Sequence, residues 1–279
     1  DGLIALVNMQ DDVYTEFLYY SLLYNKEALF AVATHGGAYS NLTTSIVRDF
    51  KLVLPSLAEQ RKIAAILSTW DEAIDLTEQL IAAKQRRKQA LMQRLLTGQV
   101  RFPGFEEEWT RNKLQNITTI DYGKSPNEIR DDNGCFYIWG TGGIVGKTNT
   151  ILCQSPAVII GRKGTIDKPI LAEEPFWTID TTFYCLPKPG NNVQWLYYAL
   201  SQIDLKQYNE ASGVPSLSRN TLYNIEMQVP PIAEQGKIAE IFLTCDKELA
   251  LHQQKLTALR RQKQGLMQQL LTGRVRVVG

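Results

Sequence analysis

The chain has 279 residues, 30 basic and 29 acidic, for a formal net charge of +1, a length that suggests about two domains. Apolar residues make up 44% and charged residues 21%, enough to bury a core, and no run of about 18 apolar residues offers a membrane-crossing helix. Near-neutral charge gives no overall bias toward a polyanionic partner. Four scattered cysteines without a C-x-x-C pair, and two histidines, His35 and His252, leave little for a metal centre or Cys/His catalysis. The cysteines are expected to be buried, reduced thiols of a cytoplasmic protein. The opening "DGLIALVNMQDD" lacks the basic stretch of a signal peptide.

Taken in chain order, the charge alternates. Residues 1–54 carry 3 basic and 6 acidic side chains, residues 55–101 carry 8 and 5, residues 102–229 carry 11 and 14, and residues 230–279 carry 8 and 4. The first segment reads as a helix around "FLYYSL" (Phe17–Leu22), a Gly/Ser loop, and a strand ending at Pro55,. The second reads as one long helix. It opens at "PSLAEQ", where Ser56 and Glu59 have capping-box spacing, and closes at Gly98, suited to the left-handed position past a helix end. The third segment is a mixed domain with strands at "CFYIWG", "AVIIGR", "PILA" and "TTFYCL",. It ends on "WLYYAL" (Trp195–Leu200), a second Gly/Ser loop and a strand reaching Pro230. The fourth is again one long helix, with Pro231 in its first turn and Gly273 at its end.

The two helical segments are copies. Pro55–Arg101 overlays Pro230–Arg276 without a gap, with 25 of 47 positions identical, including Asp71 with Asp246. Both carry the 4-3-4-3 apolar spacing of a coiled-coil seam. In the first copy the seam is Ile63, Leu67, Trp70, Ile74, Ile81, Leu91 and Leu95, with Thr77, Lys84 and Lys88 as polar members. In the second it is Ile238, Phe242, Cys245, Leu249, Leu256, Leu259, Leu266 and Leu270, with His252 and Lys263 polar. The expected fold class is therefore α+β: mixed α/β domains alternating with two long helices that form an antiparallel intramolecular coiled coil. The basic residues Lys84, Arg86, Arg87, Lys88, Arg260, Arg261 and Lys263 read as a solvated face. An insertion beside the polar seam position Lys84 should disturb the packing least.

The glycine-rich "GTGGIVGKT" (Gly140–Thr148) invites comparison with a phosphate-binding loop. That motif needs glycine where Thr141 stands and a helix afterwards, whereas "NTILCQSPAVII" follows. A tight β-turn is expected instead. With "GRKGT" (Gly161–Thr165) and "SGVPSLSRN" (Ser212–Asn220) it offers loops of residue types that contact phosphates and base edges. Thr141, Lys147, Arg162, Lys163, Thr165, Ser216, Ser218, Arg219 and Asn220 are the candidate DNA-binding residues.

The arrangement resembles the DNA-specificity subunit of Type I restriction–modification systems. The resemblance spans essentially the whole chain and rests on "LPSLAEQRKIAAIL" and "VPPIAEQGKIAEI", both "LLTG" ends, "RFPGFEEEW", "VIIGRKGTI" with "WTIDTTFY", and "SGVPSLS". It implies two target-recognition domains, each reading half of a bipartite site in double-stranded DNA, spaced by two helices. It implies no catalytic residues and no cofactor in this chain. Two methyltransferase subunits would dock on it, with S-adenosylmethionine and ATP bound by the partners, including restriction/translocase subunits. Residues 1–54 would be the C-terminal part of the first recognition domain, 102–229 the second, and 55–101 and 230–279 the spacer helices. Aligning "IALVNMQDDVYTEFLYYSL" with "CLPKPGNNVQWLYYAL" implies that the first domain lacks roughly its first 80 residues relative to the second. The alternative is a coiled-coil adaptor that does not read DNA.

Overall fold

The computed structural model describes residues 4–7, 10–31, 34–36 and 39–277. In chain order these form α1 (Thr15–Tyr24), α2 (Lys26–Ala31), β1 (Thr34–Gly36), β2 (Tyr39–Asn41), α3 (Thr44–Asp49), α4 (Leu57–Leu95), β3 (Thr110–Lys113), α5 (Leu114–Ile117), β4 (Thr118–Tyr122), β5 (Phe136–Gly140), β6 (Gly143–Thr148), β7 (Ala157–Gly161), β8 (Ile170–Ala172), β9 (Trp177–Thr178), β10 (Thr182–Pro187), α6 (Val193–Gln202), α7 (Arg219–Tyr223), β11 (Glu226–Val229) and α8 (Ile232–Leu271). The chain divides into two compact units, residues 1–84 with 248–279, and residues 85–247. Each unit contains a stretch of α4 and a stretch of α8.

In the first unit, Phe17 and Tyr20 of α1 pack on Ile63, Ala64 and Leu67 of α4 and on Met267, Leu270 and Leu271 of α8. Further along the seam Ile74 and Ile81 meet Leu249, Leu256 and Leu259. The pairing is antiparallel: Asp71 faces Lys263, Glu78 faces Arg260 and Lys84 faces Glu248.

In the second unit, an antiparallel sheet runs in the order β4-β10-β7-β8, β5 pairs with β6 and β9, and β11 pairs with β3. Strand β7 shows why "AVII" has no polar alternation. Val158 and Ile160 face a large core with Trp195, Leu196 and Tyr198 of α6, while Ala157 and Ile159 face a second cluster with Cys153 and Phe176. A strand covered on both sides reads as an unbroken apolar run. The large core also takes in Met92, Leu95 and Leu96 from one long helix and Ile238, Ala239 and Phe242 from the other.

The seam residues follow the heptad reading. Ile63, Leu67, Ile74, Ile81, Leu95, Ile238, Phe242, Leu256 and Leu270 are buried, and Trp70, Leu91, Leu249 and Leu266 are half-buried. Gly98 and Gly273 take φ of +73° and +71°, the left-handed cap expected of them.

Several expectations are corrected. The basic stripe is not simply solvated: Lys84, Lys88, Arg260 and Lys263 all form ion pairs across the seam, and Lys263 is buried. Segment 51–54 is not a strand: among the described residues none pairs with it as β3 does with β11. The strand expected to reach Pro230 is β11, and short helices α3 and α7, each capped by a hydroxyl, Thr43 and Ser218, lie upstream of the long helices. The first Gly/Ser loop contains β1 and β2, with Gly37 and Ala38 outside the described residues. Only half of the capping box forms: Ser56 accepts from Glu59 N at 3.4 Å, but the Glu59 carboxylate turns to Arg276 and to Val277 N. Pro231 stands just before α8, its carbonyl accepting from Gln235 N at 2.9 Å. Cys153 and Cys185 are buried, but Cys135 is exposed and Cys245 only half-buried.

The repeated "AEQ" acquires a physical cause. Gln60 donates to Pro55 O at 2.9 Å and accepts from Tyr14 N at 2.8 Å. Gln235 donates to Pro230 O at 2.9 Å and accepts from Asn192 N at 2.8 Å. Each buried amide ties the start of a long helix to the segment entering the upstream helix. Glu59 holds Arg276, and Glu234 holds Arg101 and the Trp109 indole.

Candidate nucleic-acid interface

One end of the β4-β10-β7 sheet gathers most of the candidate residues. Tyr122 pairs with Phe183, and Thr182 with Gly161, so the ends of β4 and β7 lie on either side of the start of β10. The chain leaving β7 folds back at once. Arg162 N and Lys163 N both donate to Thr181 O, at 2.8 and 3.1 Å, while Leu217 N donates to Arg162 O and Gly164 N to Pro215 O, each at 2.9 Å. A Cβ on Gly161 would stand 1.9 Å from Thr165 O, and one on Gly123 would stand 1.9 Å from Ile179 O. Those contacts admit no side chain.

The loop before α7 is organised by its own polar groups. Asn209 Oδ1 accepts from Ala211 N at 3.1 Å and Ser216 N at 2.8 Å. Ser218 caps α7 by accepting from Thr221 N at 3.1 Å, and the Thr221 hydroxyl donates to the Glu210 carboxylate. Hydrogen bonds from Thr221, then Ser218, hold that carboxyl below its ordinary pKa. Capping of α7 fixes Arg219, its first residue.

Two cations converge as a result. The guanidinium carbons of Arg162 and Arg219 lie 5.2 and 5.0 Å from the centre of the Tyr122 ring. Arg162 also donates to Asp180 O at 3.3 Å. Neither arginine has a carboxylate partner among the described residues. Lys163 and Asn220 are exposed beside them, and Lys163 pairs with Ser216. Thr165 closes the turn against Gly161, and the Thr141 hydroxyl borders Gly164 at 3.8 Å from where its Cβ would be. Thr141 itself is in the β5–β6 hairpin turn, the tight turn expected of the glycine-rich stretch. Lys147 is apart from this group, exposed on β6 opposite Tyr137.

Sequence reasoning missed Tyr122 and the exposed Lys124. The only signal was "DYGKS", a Gly-Lys after a strand. Lys124 is fixed by its backbone, which donates to Thr178 O and accepts from the Trp177 indole, both at 2.9 Å.

Residues 2–84 and 106–261 match the family described as the Type I restriction modification DNA specificity domain. The chain belongs to that family. Its role is accordingly in DNA specificity. It is 26% identical to the MjaVIII specificity subunit of Methanocaldococcus jannaschii, over 96% of this chain and 71% of that protein. It is 22% identical to the putative specificity subunit S.MpnORF507P of Mycoplasma pneumoniae, over 73% of this chain but only 57% of that protein. The fold is similar to the S subunit of a Type I restriction–modification system from M. genitalium, with a TM-score of 0.71, 21% identity, and coverage of 93% of this chain and 73% of that one. It is also similar to a structure from a study of type I R-M assembly and conformational transition, at a TM-score of 0.60 and 20% identity, over 94% of this chain and 72% of that one. The relatives are specificity subunits by name. Among the described residues no helix is long and apolar enough to cross a membrane.

Proposed function

We propose that this chain is the sequence-reading subunit of a cytoplasmic Type I restriction–modification complex. It contacts double-stranded DNA through the loops around Tyr122, and residues 1–54 and 102–229 serve as parts of two recognition domains reading a bipartite site. The helical stretches 55–101 and 230–279 set the separation of the half-sites. Two methyltransferase subunits dock on it, and restriction/translocase subunits join through the complex. The chain supplies no catalytic group and no cofactor; S-adenosylmethionine and ATP are bound by the partners.

The observation that carries this reading is the pair of guanidiniums with no carboxylate partner among the described residues, Arg162 on a loop held by backbone hydrogen bonds and Arg219 at the capped start of α7. Arginine suits phosphate and guanine because its planar fork donates to two acceptors at once. The test is methylome sequencing of a host with this gene present and deleted. A two-part adenine-methylation motif should vanish on deletion, and Arg162→Ala with Arg219→Ala should weaken methylation at every copy of that motif. An unchanged methylome would refute the reading.

The spacer role has its own test. Because Lys84 pairs with Glu248, an insertion should be matched in both helices and keep the heptad. Seven residues after Lys84 and seven before Glu248 add roughly 10 Å of helix, close to three base pairs of duplex at about 3.4 Å each. A wider spacer between unchanged half-sites is expected; an active variant with the original spacer would remove the helices as the ruler.

A further inference from the structure

The Tyr122 ring lies at the end of β4, 43% exposed, and leans on the wholly buried ring of Phe183 at a centroid distance of 5.0 Å. Both guanidiniums lie over it although their residues are 57 positions apart. Bringing two like charges to one ring is unfavourable unless something compensates. The π face contributes part of that compensation, and no carboxylate of the described residues is in ion-pair reach. An anion between or beside the two forks would complete it.

We propose that Tyr122 is a positioning residue that aims Arg162 and Arg219 at DNA backbone phosphates, so that this pair anchors the duplex rather than reading a base. The proposal rests on the DNA-binding reading above and deepens it. The ring restricts two long, flexible side chains before DNA arrives, which lowers the ordering cost of binding. Phe183 and the β4-β10 ladder hold the ring itself. The Tyr122 hydroxyl is not required.

The experiment uses the full chain assembled with its methyltransferase subunits and a 40-base-pair duplex of random sequence. The logarithm of affinity is followed against the logarithm of salt concentration, where each neutralised phosphate contributes a slope of about 0.9. The double variant Arg162→Ala with Arg219→Ala should lower the slope by about two contacts. Tyr122→Val should lower it by one to two contacts in the native background and by nothing further in the double-arginine background, while Tyr122→Phe should leave it unchanged. A normal slope in the double-arginine variant overturns the site itself. A reduced slope there with a normal slope in Tyr122→Val leaves the site standing and overturns the role of Tyr122. Arginine side-chain NMR of the full chain keeps the test independent of whether Tyr122→Val folds. Two Nε–Hε signals should be shifted upfield by the ring and disappear one at a time in Arg162→Lys and Arg219→Lys. Unshifted signals overturn the proposal.

Discussion

Asp71 of α4 and Lys263 of α8 form an ion pair across the helix seam, and the Tyr20 hydroxyl donates to the same carboxylate at 2.7 Å. The Lys263 ammonium also lies 5.1 Å from the Tyr20 ring centre. In the other unit Asp246, Lys88 and Tyr198 repeat the arrangement, with the hydroxyl at 2.7 Å, the ion pair at 2.5 Å and the ammonium 5.1 Å from the ring. Burial, reinforced by the neighbouring carboxylate, pushes both tyrosine hydroxyls well above their ordinary pKa. They remain donors in neutral solution.

Removing one member of each triad should show what it holds. Asp71→Ala leaves a buried ammonium without its carboxylate, and about 2–3 kcal/mol of stability should be lost. Asp246→Ala should match it in the other unit. Lys263→Met should cost less, because an apolar side chain of similar length fills the seam without a charge to compensate. Urea unfolding followed by circular dichroism measures all three; equal losses for Asp71→Ala and Lys263→Met would contradict the assignment.

Glu59 makes the stability of the first unit pH-dependent. Its hydrogen bonds from Arg276, then from Val277 N, lower its pKa to about 2. A carboxyl depressed on folding contributes fully above its ordinary value of 4.5, and the contribution is lost as pH falls from there toward 2,. Glu59→Gln should be less stable than the native chain at neutral pH and should lose less stability across that window. Parallel acid-denaturation curves would disprove the coupling.

Core truncation should separate seam from surface. Phe242 is fully buried, and Phe242→Ala should cost about 3–5 kcal/mol. Leu251 on the same helix is 64% exposed, so Leu251→Ala should stay within about 0.5 kcal/mol. Thermal melts of the two variants make the comparison.

Gly161→Ala tests the turn beneath the arginines. With 1.9 Å between the new Cβ and Thr165 O, the backbone must move, at a cost of about 3 kcal/mol. Gly142→Ala, which meets nothing within 4 Å, is the control. Both melting temperature and duplex binding should fall for the first and hold for the second.

The seam was legible in the sequence because a heptad is a local pattern: Ile63 and Leu67 declare their face within one turn. Strand β7 was legible as an apolar run. What was hidden depended on distance along the chain. Nothing near Glu59 announces that its partner is Arg276, and the false strand at 51–54 had a plausible composition but no ladder among the described residues. Beyond the Gly-Lys of "DYGKS", Tyr122 was hidden because the two arginines over it reach the ring only once β4, β10 and β7 are aligned. The basic seam residues were misread because charge patterning does not reveal an acidic partner on the other helix.

Residues 85–247 build one unit from an unbroken run of chain, whereas the other joins residues 1–84 to residues 248–279. One unit is an insertion inside the other, and synthesis must respect that order. The stretch of α4 bearing Ile63 and Leu67 is made before the second unit, yet Met267, Leu270 and Leu271, which cover it, are made after it. At about 5–20 residues per second, the intervening run takes roughly 10–30 s to produce. Through that interval the second unit can complete its core, while the first keeps an apolar stripe open to chaperones or to another nascent copy.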